Sequence, residues 1–100
     1  MTETTFLILL SVYKQIHGYG IMQFIESETN GRVTLGAGTL YGAINTLVKK
    51  KWIEPVGNEK GDVKKDYIIT ELGKQIVADE QKRIRDISHL ADKIIGRNNI

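Results

Sequence analysis

The stretch GAGTLYGAINTLVKKK, residues 36–51, decides how this chain is read. Leu40, Ile44, Leu47 and Val48 fall at i, i+4, i+7 and i+8, the spacing of one buried stripe on an α-helix. The helix is expected to start near Ala37, with Gly36 as an acceptable N-cap. At about 100° per residue, the opposite face carries Gly38, Gly42, Asn45, Thr46 and Lys49. That face is small and polar at its start and basic at its end. A mid-helix glycine costs about 1 kcal/mol relative to alanine. Gly42 therefore implies a close approach to the backbone, either by a molecule outside the chain or by a neighbouring helix.

Charge is gathered in the same place. The chain of 100 residues has a net charge of only +2, but residues 31–51 hold Arg32, Lys49, Lys50 and Lys51 and no acid. Such a cluster suits phosphate, although a lysine triplet also serves as a plain solvated face. Hydrophobic residues make up 41% and charged residues 26% of the chain, which sets it among globular proteins rather than disordered ones. There is no cysteine, so disulfides and thiolate metal sites are excluded and a cytoplasmic location is expected. The longest apolar run, Phe6 to Leu10, is too short to span a bilayer and lacks the flanks of a signal peptide.

On the N-terminal side, Thr2 is expected to cap a first helix running to about Lys14. This helix is apolar almost all round, through Phe6, Leu7, Ile8, Leu9, Leu10, Val12 and Tyr13, and must be covered on more than one side. His17-Gly18 breaks it, and a second helix runs from about Gly18 to Asn30-Gly31, a good stop signal. Arg32 to Leu35 alternate weakly and are expected to form a short strand. On the C-terminal side, Ile53–Val56 and Val63–Ile69 flank a turn-rich segment and read as a β-hairpin, with Pro55 on an edge. Thr70 then caps a last helix to about Arg97, roughly 40 Å long. Its apolar stripe of Ile76, Ile84, Ile87, Leu90, Ala91, Ile94 and Ile95 is more than so small a domain covers alone.

Three helices, a hairpin and a long helix make a mostly α chain with a small β-hairpin (α+β): a winged helix-turn-helix over residues 1–70 and a dimerisation helix over residues 71–100. Four ordered blocks carry a family resemblance. They are His17-Gly18-Tyr19-Gly20, Gly38-Thr39-Leu40-Tyr41, Leu47 through Ile53, and Tyr67-Ile68-Ile69-Thr70-Glu71-Leu72-Gly73. In these the chain resembles the PadR family of bacterial transcriptional regulators, in its short subtype with a single C-terminal helix. The resemblance implies a repressor that binds a partly palindromic operator as a homodimer, with the third helix in the major groove and the wing on the flanking backbone. It further implies that Tyr19, Tyr41, the polar residues opening the recognition helix and basic wing residues contact DNA. The chain departs from the family pattern at Gly36, where serine or asparagine is usual, and at Ala37 and Gly42, where proline is common. Trp52 stands in place of the usual glycine after the recognition helix.

The expected DNA-binding residues are Tyr19, Gly38, Thr39, Tyr41, Gly42, Asn45, Thr46, Lys49 and Lys64. Thr39, Asn45 and Thr46 bear hydrogen-bonding groups for base edges, and Lys49 and Lys64 bear charge for phosphates. For Tyr41 and Tyr19, packing between helices is the competing reading, and for Trp52 anchoring of the hairpin is favoured over stacking on a base. The expected dimer contacts are Phe6, Leu10, Ile84, Ile87, Leu90, Ala91 and Ile94. An apolar effector pocket is allowed near Phe6, Leu10, Ile87 and Leu90, whereas a sandwich for flat aromatic drugs is disfavoured because the last helix has no aromatic residue. No enzyme, cofactor or metal is expected. The glycine spacing of residues 36–42 does not fit dinucleotides, His17 and His89 lie on different elements, and Ser11, Ser27 and Ser88 lack a base. The other reading kept open is a winged-helix protein-interaction module without an operator, since fold does not fix function.

Overall fold

The computed structural model describes residues 1–57 and 65–98. Its elements are α1 (Glu3–Ser11), β1 (Ile16–His17), α2 (Gly18–Glu28), α3 (Ala37–Lys49), β2 (Ile53–Val56), β3 (Asp66–Ile69) and α4 (Glu71–Asn98). Several helix boundaries have a local cause. The Thr5 amide donates to Thr2 Oγ1 (3.2 Å) at the start of α1, and Gly36 is the N-cap of α3, without a side-chain bond. α2 ends in a Schellman motif: Gly31 N donates to Glu26 O (2.8 Å) and Asn30 N to Ser27 O (3.2 Å), with Asn30 in the left-handed region at φ 52°. α3 ends the same way, with Trp52 N on Leu47 O (3.1 Å) and Lys51 N on Val48 O (3.0 Å). The left-handed residue there is Lys51, φ 63°, so the position made for glycine is Lys51 and not Trp52.

The three strands form one antiparallel sheet in the order β1-β3-β2. Pro55 pairs with Tyr67 on the edge strand β2, where its missing N–H does no harm. Two sequence expectations are corrected here. The first helix stops at Ser11 rather than Lys14, because the Val12 carbonyl accepts from Ile69 N (2.8 Å) and the chain turns into the sheet. The short strand is Ile16–His17, paired with Tyr67 and Asp66, and not Arg32–Leu35. Val33 and Leu35 alternate inward because they plug the core from a loop, which the Thr29 hydroxyl holds by accepting from Val33 N (3.1 Å). Val63 and the hairpin tip lie outside the described residues.

The core gathers Ile8 and Leu9 of α1, Val12 just past its end, Ile21 and Ile25 of α2, Leu40, Ile44 and Leu47 of α3, Ile53, Tyr67 and Ile69 of the sheet, and Val77 of α4. Helix α4 is rooted at a tight corner. Thr70 N and Thr70 Oγ1 both donate to Trp52 O (3.0 Å each), Oγ1 also lies 2.7 Å from Lys51 O, and Gly73 N donates back to Thr70 Oγ1 (3.0 Å). A Cβ at Gly73 would collide with the Trp52 carbonyl oxygen, so glycine is required there. Val77 and Glu80 are the last buried residues of α4; residues 81–97 are exposed throughout. No helix among the described residues is long and apolar enough to cross a membrane.

Candidate nucleic-acid interface

Helix α3 divides as its periodicity requires. Leu40, Ile44 and Leu47 are buried, whereas Gly38, Thr39, Tyr41, Gly42, Asn45, Thr46 and Lys49 are exposed. A Cβ at Gly38 or Gly42 would meet no atom within 4 Å, so packing against α2 does not explain Gly42, and its backbone lies open to a molecule from outside. Thr46 Oγ1 donates to Gly42 O (3.2 Å), which leaves that hydroxyl oxygen as an acceptor toward a ligand. Lys49 and Lys51 are exposed, and Lys50 Nζ sits 4.6 Å from the centre of the Trp52 ring, a cation–π contact. Trp52 itself is half-buried against the core, the anchoring role favoured from sequence.

The start of α2 forms the flank of this face. His17 is its N-cap, Nδ1 accepting from Gly20 N (2.8 Å). Tyr19 projects outward, 62% exposed, which disposes of the packing alternative for its side chain. Tyr41 is 45% exposed and lies across Gly18, so it both packs between helices and keeps an open edge. The Tyr67 phenol is pushed up, first by burial and then by the charge of Tyr41. Arg32, counted with the basic cluster from sequence, is bound by Glu3 through two hydrogen bonds (2.6 and 3.0 Å), an ion pair that raises Arg32 and lowers Glu3. Of the basic cluster read from sequence, Lys49, Lys50 and Lys51, unlike Arg32, form no ion pair among the described residues. Lys64 lies outside the described residues.

A second surface lies at the far side. Ile84, Ile87, Leu90, Ala91, Ile94 and Ile95 are exposed along α4, Leu10 is exposed on α1, and Phe6 is half-buried. A groove of about 440 Å³ between α1 and α4 is lined by Phe6, Leu7, Leu10 and Ile84 together with the charged Glu3, Glu80 and Arg83. Ile87 and Leu90, expected beside Phe6 and Leu10, are not part of its lining and stand further along α4. Glu80 is buried and accepts from Arg83 Nε (2.9 Å) and Nη2 (2.6 Å) and from the N-terminal ammonium (3.4 Å). The Arg83 hydrogen bonds, foremost, hold its carboxyl down at about 2. Among the described residues, no three His, Cys, Asp or Glu side chains gather as metal ligands.

Gly18 and the Glu3–Arg32 pair are the features that sequence reasoning missed. Gly18 reads as a helix boundary, and nothing local announces a contact with a tyrosine 23 residues further on.

Residues 6–79, from α1 through the buried turns of α4, match the transcriptional regulator PadR-like family. The chain belongs to the PadR-like family. An uncharacterized protein of Lysinibacillus sphaericus is 31% identical over 88 residues, covering 86% of this chain and 81% of that protein. Among solved structures, a PadR family transcription regulator from Clostridium difficile R20291 superposes with a TM-score of 0.78 at 20% identity, over 94% of this chain and 99% of that one. A transcriptional regulator from Clostridium thermocellum superposes at 0.70 with 24% identity, over 95% and 90%. Membership of the PadR-like family makes the chain a DNA-binding transcriptional regulator of the winged-helix fold.

Proposed function

We propose that the protein is a cytoplasmic repressor that binds a two-fold-related operator as a homodimer, residues 1–70 contacting DNA and the helix 71–100 pairing the subunits. The observation that carries this reading is the outer face of α3: small and open at Gly38 and Gly42, polar at Thr39, Asn45 and Thr46, and basic at Lys49. An α-helix fits the major groove, and small residues let its backbone come close. Tyr19 and Tyr41 flank that face, where a hydroxyl reaches phosphate, and Lys49 and Lys64 add charge for the backbone. Two such helices related by a two-fold axis would meet half-sites one turn apart, roughly 34 Å or about 10 bp. Phe6, Leu10, Ile84, Ile87, Leu90, Ala91 and Ile94 form the pairing surface. The groove between α1 and α4 is the place for an apolar effector, because it is lined by aliphatic and aromatic side chains next to that surface.

Selection from a randomised duplex pool tests the reading. Wild type should enrich a palindrome with half-sites about 10 bp apart. Asparagine pairs bidentately with adenine for about 1–3 kcal/mol, so Asn45→Ala should lose preference at one position per half-site. Failure of wild type to enrich any sequence would favour a protein-interaction module.

A further inference from the structure

Gly18 is the first residue of α2 and is buried, although His17 and Tyr19 on either side are exposed. Its backbone does not demand glycine: among the described residues the glycine at positive φ is Gly31. Alanine is the better helix former at such a position. What excludes a side chain is Tyr41. A Cβ at Gly18 would collide with the Tyr41 hydroxyl and lie 2.7 Å from Cζ and 2.9 Å from Cε1 of the same ring. The three nearest atoms thus belong to one side chain, which crosses from α3 onto the end of α2. Its hydroxyl therefore stands where the start of α2 meets α3.

We propose that Gly18 is a positioning residue for DNA binding: its missing side chain lets Tyr41 lie across the start of α2, and this holds the hydroxyl where α2 and α3 meet, on the side facing the duplex. The proposal rests on the DNA-binding reading above. With any larger residue at position 18, the ring must swing off α2, and a phosphate contact made by its hydroxyl is lost whatever the base sequence.

The test is a double-mutant cycle of Gly18→Ala and Tyr41→Ala, with affinity read on the duplex that wild type selects and on an unselected duplex, and with unfolding midpoints alongside. A hydrogen bond to a charged group corresponds to roughly a tenfold change in affinity. With one such bond lost from each subunit of the dimer, Gly18→Ala should therefore weaken both duplexes roughly a hundredfold, as should Tyr41→Ala, and the double variant should be no weaker than either single. The double variant should also unfold later than Gly18→Ala, since removing the ring relieves the collision while leaving affinity low. Gly18→Ala binding like wild type, or losses that multiply in the double variant, would overturn the positioning role. If Gly18→Ala does not fold, a folded double variant supports the contact and an unfolded one refutes it. A wild type that selects no duplex would remove the DNA reading and the positioning role together, whereas binding by wild type beside an unimpaired Gly18→Ala removes the positioning role alone.

Discussion

Lys51 is held at φ 63°, closing the Schellman turn that ends α3. An L-residue in that region costs roughly 1–2 kcal/mol because its Cβ crowds the following carbonyl, a penalty glycine escapes. Lys51→Gly should accordingly raise stability by about 1 kcal/mol in urea unfolding. It should also weaken DNA binding by removing one cation of the triplet. An unchanged midpoint would mean that the strain is relieved elsewhere. The turn can hold lysine because Trp52 N and Lys51 N are both satisfied by the helix and Trp52 packs half-buried against the core. Asn30, at φ 52°, plays the same part at the end of α2, and asparagine tolerates that conformation better than lysine does.

Between α1 and α4 the contact is a buried carboxylate under an apolar groove. Glu80 is the buried member of its pair with Arg83, and its depressed pKa fixes the sign of a pH effect. The pair contributes stability above the ordinary carboxylate value of 4.5, and this contribution fades as pH falls toward about 2. Glu80→Gln should therefore melt lower than wild type at neutral pH, with the gap closing across that acid window. Parallel melting curves from neutral pH to pH 2 would show that the pair does nothing for the fold. At this scale much was legible in the sequence. The start of α3 follows from Gly36 as its cap, its buried stripe from the spacing of Leu40, Ile44 and Leu47, and the exposed face is the arithmetic complement of that stripe. The end of α1 did not follow, because it depends on Ile69 claiming the Val12 carbonyl from a distant strand. A two-residue strand such as Ile16–His17 is too short for any period to register. The contacts Gly18–Tyr41 and Glu3–Arg32 escaped for the same reason as the end of α1: each joins elements that only the fold brings together.

The molecule measures 63 × 28 × 20 Å, and α4 accounts for the long dimension. Ile84, Ile87, Leu90, Ile94 and Ile95 are between 44% and 58% exposed, on the part of α4 that runs beyond its last buried residue, Glu80. Full burial of one such side chain stabilises by about 1.5–3 kcal/mol, so pairing two copies along this stripe outweighs leaving it in water. The double substitution Ile87→Asp and Ile94→Asp should give monomers or insoluble protein by sedimentation. A folded dimer carrying both would move the pairing surface elsewhere. The corner at Thr70 and Gly73 has a mechanical meaning for such an assembly. With the Trp52 carbonyl pressed against Gly73, the reading head cannot swivel independently of α4, and the helix acts as a lever arm of about 42 Å. A change of about 5° in the crossing of two such arms displaces a head by roughly 4 Å, close to the rise of one base-pair step at about 3.4 Å. A small change in how two such arms cross would thus be enough to carry both heads out of step with the duplex.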